Sequence, residues 1–77
     1  MMDYNEFKNE IKDTVNNTDD FFDDDQVDAI AETIRNLKGF SLQNGDTLDS
    51  VDYYVFWDIV RAFDTGEDYD APTDWRA

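Results

Sequence analysis

The stretch SVDYYVFWDIVRAF, residues 50–63, decides what kind of fold this chain can form. Wound as a helix, it is apolar on almost every side, with Asp52, Asp58 and Arg61 in the gaps. A helix that is hydrophobic all round normally lies at the centre of a fold. Because β-branched and aromatic residues are also dense in strands, a β-strand over Tyr53 to Ile59 stays open as the alternative. We favour a central third helix, and we expect two other helices to leave part of its aromatic surface exposed.

Two further helices are predicted upstream, from apolar residues at helical spacing. The apolar face of the first consists of Tyr4, Phe7, Ile11 and Val15. The apolar face of the second consists of Val27, Ile30, Ala31, Ile34 and Leu37. Asp3 is placed to cap the start of the first helix. The second helix begins within residues 23–25, where carboxylates suit the positive end of the helix dipole, and Gly39 is placed to end it after Lys38.

Residues 40–48 connect the second helix to the third. Asn44-Gly45 is a preferred centre for a two-residue hairpin turn, but the flanking segments are short. A loop with a turn is therefore favoured, and a short β-hairpin stays open as the alternative. Asp46, Thr47 or Asp49 is placed to cap the third helix.

The predicted fold is mainly α, a small three-helix domain over residues 1–64. Residues 65–77 contain Gly66, Pro72 and four acidic residues, which indicates an irregular acidic tail. Trp75 lies within this tail, where it either packs onto the core or stays exposed as an anchor.

Charge dominates the composition of the chain. Of its 77 residues, 20 are acidic and 6 are basic, so the formal charge is −14. Such a charge repels itself in the compact state, and we expect stability to rise as salt screens it. At 40% hydrophobic and 16% aromatic residues, the chain is still too apolar for a disordered acidic tail. The composition therefore predicts one folded domain.

Several classes of function are disfavoured by the residue types. No cysteine or histidine is present, which excludes disulfides and thiolate zinc sites and removes the commonest general base. The acids around Phe21 and Phe22, and those around Gly66, do not match the spacing of a Ca²⁺-binding EF-hand loop. A small helical body also has little room for the cleft that a catalytic carboxylate pair needs. We expect neither an enzyme, nor a cofactor, nor a dedicated metal site.

The same composition constrains the partner. Nucleic acids and anionic lipids attract clustered Lys and Arg, and this acidic chain would repel both. No apolar run approaches the roughly 18 residues of a membrane span, and the acidic N-terminus is unlike a signal peptide. We expect a cytoplasmic monomer or small homo-oligomer that binds a basic protein, with no direct contact to nucleic acid or membrane.

The acidic residues themselves are the first candidates for that contact. Sixteen of the 20 are Asp, whose short side chain holds its charge close to the backbone. Acids three or four residues apart on a helix lie about 5–6 Å apart, a spacing on the scale of nucleic acid charges. The densest cluster is Asp19, Asp20, Asp23, Asp24, Asp25 and Asp28. A second stripe on the first helix is Asp3, Glu6, Glu10 and Asp13.

Three aromatic residues complete the set of partner-contact candidates. They are Tyr53, Trp57 and Trp75. Core packing is the favoured role for all three. In the alternative, exposed aromatic rings supply the desolvated anchors of a protein interface.

In its small size, acidity, lack of cysteine and aromatic-rich helices, the chain resembles the DNA-mimic inhibitors that phages and mobile elements encode. Anti-CRISPR and anti-restriction proteins belong to this class, whose members share composition and charge layout but no common fold or motif. The resemblance implies an inhibitor that presents phosphate-like carboxylates to a basic nucleic-acid-binding protein. A CRISPR effector or a restriction component, in the host cytoplasm, is the implied target.

Two other interpretations stay open. In the first, the chain is a protein-interaction module or regulatory subunit whose aromatic third helix forms a hydrophobic interface, and the acids only keep it soluble. In the second, the acidity is a halophilic adaptation. Binding through carboxylates should weaken steeply as salt rises, whereas aromatic burial should be nearly indifferent to salt.

Overall fold

The computed structural model describes residues 2–17, 21–70 and 72–77, and it contains three α-helices packed around one core. They are α1 (Tyr4–Asn16), α2 (Asp24–Arg35) and α3 (Tyr53–Thr65). Two short 3₁₀ helices, Leu42–Asn44 and Leu48–Ser50, lie between α2 and α3. The prediction of a mainly helical three-helix fold is confirmed.

The apolar stretch from Tyr53 onward forms the helix α3, so the alternative of a β-strand over Tyr53 to Ile59 is wrong. α3 buries Val55, Phe56, Ile59, Val60 and Ala62. They recur at intervals of three or four residues (55 to 59, 56 to 60 and 59 to 62) and so lie on one side of the helix, whereas a strand would divide alternate residues between two faces. The helical pattern therefore places more of the stretch in the core.

The start of α3 differs from the prediction. The Asp52 side chain caps it, accepting hydrogen bonds from the amides of Tyr54 (3.0 Å) and Val55 (3.2 Å). The three predicted caps, Asp46, Thr47 and Asp49, do not cap α3, because Thr47 precedes and Asp49 belongs to the second 3₁₀ helix. The Thr47 amide, at the start of that 3₁₀ helix, donates to Ser50 Oγ (3.0 Å).

Aspartate also caps the other two helices. Asp3 accepts from the Glu6 amide at 2.8 Å, as predicted for α1. Asp23 accepts from the Gln26 amide at 2.9 Å, while the Gln26 side chain accepts from the Asp23 amide at 3.1 Å. Such caps satisfy amides that have no partner within the helix, and replacing one by Ala typically costs about 1 kcal/mol. The chain's preference for Asp over Glu thus has a structural use at all three helix starts.

α2 ends one turn earlier than predicted. Its C-cap is Asn36, and Lys38 lies beyond the helix. Gly39 has a positive φ of 86°, but it closes a separate turn in which the Phe40 amide donates to the Leu37 carbonyl (3.0 Å). That turn keeps Leu37 and Phe40 in the core, so the apolar pattern continues past the end of the helix.

The connection after α2 contains no hairpin within the described part of the chain. Its Asn44-Gly45 pair ends the first 3₁₀ helix, with Gly45 at a φ of 95°. The one β-type contact described there is an isolated antiparallel bridge between Val51 and Arg76. Short flanks on both sides of the turn leave too few residues to pair as strands.

The irregular C-terminal segment returns to the core through Trp75, whose side chain is only 1% exposed. Its indole Nε1 donates to the Lys38 carbonyl (2.7 Å), and its own carbonyl accepts from the Asp52 amide (2.7 Å). Arg76 donates to Asp46 (2.8 Å) and to the Gly39 carbonyl (2.9 Å). Of the two positions left open for Trp75, the structure shows the buried one.

None of the helices in the described ranges is long and apolar enough to cross a membrane. The longest have 13 residues, whereas a span through the hydrocarbon core needs about 20.

Candidate protein-binding surface

The α2 acidic cluster, defined here as Asp23, Asp24, Asp25 and Asp28, lies at the start of α2 and faces solvent. Asp19 and Asp20, predicted to belong to it, lie outside the described residues. Two members are paired with lysines of α1. Lys12 Nζ lies 2.7 Å from an Asp24 oxygen, and Lys8 Nζ lies 3.2 Å from an Asp28 oxygen.

These ion pairs reduce the free charge of the cluster. The hydrogen bond from Lys12 lowers the pKa of Asp24 and raises the pKa of Lys12 itself. Asp23 serves as the cap of α2, while Asp25 makes neither an ion pair nor a side-chain hydrogen bond with any residue that the structure describes. Lys8 and Lys12 are one helical turn apart on α1, and this spacing can be read from the sequence. Nothing in the sequence indicates that the two lysines pair with carboxylates of α2. The cluster therefore presents fewer unneutralised carboxylates than its sequence indicates.

The predicted stripe on α1 also has mixed roles. Asp3 is the helix cap. Glu6 and Asp13 are exposed and Glu10 is half-buried, and these three make no ion pair within the described residues. They leave α1 with negative charge that no described residue neutralises, with Glu6 and Asp13 on its outer face and Glu10 at its flank.

A third group of acids was not among the predicted contacts. The acidic C-terminal segment, as we define it, comprises Asp64, Glu67, Asp68, Asp70 and Asp74. All are exposed, none makes an ion pair with a described residue, and no Lys or Arg occurs between Arg61 and Arg76. The segment starts at the C-terminal end of α3, where the helix dipole is also negative and carboxylates are unfavourable. The sequence signal that could have identified this segment is a run of acidic residues with no Lys or Arg among them.

Aromatic side chains are exposed at the start of α3. Tyr53 and Tyr54 are 70% and 75% exposed, and Trp57 is half-buried one turn further along. The Tyr53 ring lies edge-on to Trp57, with centroids 6.3 Å apart, and Trp57 in turn contacts the buried Phe56 at 5.0 Å. Of the three candidate aromatic contacts, Tyr53 and Trp57 come together at the surface and Trp75 does not, so the favoured role of core packing is right for Trp75 and wrong for Tyr53. Phe21, at 80% exposed, was not predicted.

An open groove of ≈ 390 Å³ lies beside these rings. We call it the aromatic groove, and its main lining residues are Leu48, Tyr53, Phe56, Trp57, Glu10 and Asp49. The first four supply apolar walls. Glu10 and Asp49 add carboxylates that make no ion pair with any described residue. The groove thus combines an apolar surface with negative charge, at the place where α1 meets the second 3₁₀ helix.

The ionisable side chains of residues 2–17, 21–70 and 72–77 lie at or near the surface. Among the described residues, none of the buried side chains is polar or charged, and no group of three or more carboxylates could hold a metal ion. The arrangement that is present suits contact with a partner through exposed carboxylates and aromatic rings.

The chain was compared with protein-family models, curated proteins and solved structures, and none of these comparisons yields a match.

Proposed function

We propose that this protein is a non-enzymatic inhibitor that binds a basic nucleic-acid-binding protein and occupies the surface where nucleic acid would lie. Charge density carries the proposal. The net charge of −14 belongs to a body whose longest dimension is 31 Å. At one charge per about 1.7 Å of axis, duplex DNA of that length carries about 18 negative charges. The two charge densities are similar enough for one cationic groove to attract both.

The distribution of free carboxylates supports the same function. Acids without an ion pair occur on α1, at the start of α2, and in the acidic C-terminal segment. A basic partner would therefore meet negative charge on several faces, which speeds association by long-range attraction. By resemblance to the DNA-mimic class, we place the protein in phage counter-defence, against CRISPR or restriction machinery in the host cytoplasm.

A second candidate function is an interaction module that binds through aromatic burial alone. The exposure of Tyr53 and Tyr54 favours it, because exposed aromatic rings are frequent anchors of protein interfaces. The two functions differ in what weakens the complex. An interface that depends on carboxylates loses affinity as salt rises, and duplex DNA competes with it.

The first experiment is capture of partners from a bacterial lysate by the tagged protein at low salt, followed by elution in a salt gradient and identification by mass spectrometry. We expect a basic nucleic-acid-binding protein that elutes at intermediate salt and is displaced by duplex DNA. A partner that survives high salt and ignores DNA contradicts mimicry and supports the aromatic module.

Matched double variants then test whether free carboxylates form the contact. D68N/D70N removes two unpaired carboxylates, and D24N/D28N removes two that are already paired with lysines. Both variants change the net charge by the same amount. We expect D68N/D70N to weaken binding of the captured partner more than D24N/D28N, with Gln43→Ala as the uncharged control. Equal losses from the two double variants would show that only net charge matters.

A further inference from the structure

We propose that the aromatic groove is the specificity contact of this protein, and that its occupant is an apolar side chain flanked by Lys or Arg in a segment of the basic partner. This inference rests on the proposed function, because it specifies the partner's chemistry at one place on the acidic surface. Attraction between opposite charges brings many basic proteins together with this one, whereas an apolar contact of defined shape selects among them.

The walls of the groove indicate an apolar anchor. Tyr53 is 70% exposed, although moving a tyrosine ring out of water lowers its free energy. Its edge-on contact with Trp57, and that of Trp57 with Phe56, continue the exposed ring surface into the buried core. A side chain placed between Leu48 and these rings would therefore pack against an apolar surface that is continuous with the core.

The carboxylates of the groove determine what must accompany that anchor. Glu10 comes from α1 and Asp49 from the second 3₁₀ helix, so negative charge reaches the groove from two separate elements. Neither is neutralised by a cation of the described residues. A segment with cations beside its apolar residue would pair with both, whereas a segment with acids there would be repelled.

Charge also argues against a second copy of the chain as the occupant. Two copies would bring together bodies of −14 each, at a groove whose own ionisable residues are acidic. Repulsion of this kind opposes self-association, most strongly at low ionic strength. A basic partner has the opposite dependence, since its attraction is strongest under the same conditions.

The test uses two fluorescein-labelled peptides and the full chain. One peptide has a single leucine between two pairs of lysines, and the matched peptide has serine in place of the leucine. Measured by fluorescence anisotropy, the leucine peptide should bind about fivefold tighter or more, as partial burial of a leucine side chain implies. Salt should weaken both peptides while their ratio persists, because screening acts on the lysines and not on the leucine.

A matched pair of variants locates the contact. Tyr53→Ala removes a wall of the groove, and Tyr54→Ala removes a tyrosine of similar exposure that contacts the Tyr53 ring edge-on (5.6 Å) but does not itself line the groove. We expect Tyr53→Ala to reduce the leucine-to-serine ratio to about one and Tyr54→Ala to retain most of it. Circular dichroism and urea unfolding of both variants check that the fold is intact, as expected for exposed positions.

A second matched pair examines the charge. Asp49→Asn should weaken both peptides more than Asp13→Asn, which removes the same charge from the outer face of α1. Sedimentation of the free protein should show a monomer. Three results would overturn the proposal: equal binding of the leucine and serine peptides, equal effects of Tyr53→Ala and Tyr54→Ala, or a dimer that Tyr53→Ala dissociates.

Failure of this inference and failure of the proposed function are distinguishable. If DNA displaces the captured partner but the two peptides bind equally, mimicry holds and the groove does not select the partner. If the leucine peptide binds in the groove but DNA leaves the captured partner in place, the groove is a binding site and mimicry is wrong.

Discussion

The indole Nε1 of Trp75 donates a hydrogen bond of 2.7 Å to the main-chain carbonyl of Lys38, which lies 37 positions earlier in the chain. This contact holds the irregular C-terminal segment against the turn that follows α2. The indole also contacts Phe40, with ring centroids 5.6 Å apart. A residue near the end of the chain is therefore part of the same core as the helices.

Replacing Trp75 should destabilise the whole domain. Trp75→Ala leaves a large cavity and an unpaired Lys38 carbonyl, and we expect a loss of about 3–5 kcal/mol in the free energy of unfolding. The measurement is urea unfolding followed by circular dichroism. Tyr54→Ala, at an exposed position, should change the stability by no more than about 0.5 kcal/mol. A Trp75→Ala variant as stable as that control would show that the C-terminal segment does not support the core.

The pair formed by Asp46 and Arg76 should make part of the stability depend on pH. Hydrogen bonds from the Arg76 side chain and the Ser41 amide lower the pKa of Asp46. The folded state thus binds this proton less tightly than the unfolded chain, whose Asp pKa is about 3.9. The stabilisation is present above that pKa and is lost as pH falls through the lower, folded-state pKa.

Urea unfolding of the wild type and Asp46→Asn at a series of pH values measures that contribution. We expect the wild type to be the more stable at pH 7, and the difference to close below about pH 4. Asp13→Asn makes the same charge change without removing an ion pair, and relief of repulsion should leave it at least as stable as the wild type at pH 7. A difference between wild type and Asp46→Asn that persists unchanged at low pH contradicts the assignment.

Salt should stabilise the fold. The charge of −14 repels itself over a body of 31 × 24 × 17 Å, and the screening length falls from about 30 Å at 0.01 M salt to about 3 Å at 1 M. We expect the urea midpoint to rise steadily with NaCl. Urea is the suitable denaturant, since it carries no charge of its own. A midpoint that does not move with salt would mean that the carboxylates repel one another too weakly to matter.

The two lysines of α1 should restrain binding more than they support the fold. Lys8→Met with Lys12→Met removes both ion pairs to α2 and frees Asp24 and Asp28. Ion pairs as exposed as these contribute little to stability because solvent screens them, so the double variant should still fold. Its affinity for the lysine peptides should rise about twofold or more at low salt, measured by anisotropy. A variant that unfolds, or binds no more tightly, contradicts this division of roles.

Helix positions could be predicted because apolar spacing and caps are local signals. Phe7, Ile11 and Val15 mark one face of α1, and Asp3 lies directly before it. The end of α2 was wrong because Gly39 closes a turn of its own, and a positive φ suits either role. Whether a glycine ends a helix depends on what the following residues pack against, which for Leu37 and Phe40 is the distant core.

The candidate site could be predicted only in part, for a related reason. The sequence makes Tyr53 and Trp57 candidate contacts because an all-apolar helix carries more aromatic surface than two neighbours can cover, but it favours core packing for both, which is wrong for the exposed Tyr53. Their approach to Glu10 and Asp49 depends on tertiary packing. The same holds for Lys12 and Asp24, which are 12 positions apart and meet only when α1 and α2 pack together.

The three aspartate caps divide the acidity of the chain into two kinds. Asp3, Asp23 and Asp52 hold helix starts in place, and their side chains cannot lose the oxygen that accepts from the helix amides without loosening the backbone. The carboxylates of the acidic C-terminal segment cap no helix and make no ion pair with the described residues. Substitutions that change the surface charge of that segment should consequently cost little in folding stability. Under selection from a changing target, that segment is where we expect substitutions to accumulate, while the three caps stay aspartate or become serine, threonine or asparagine.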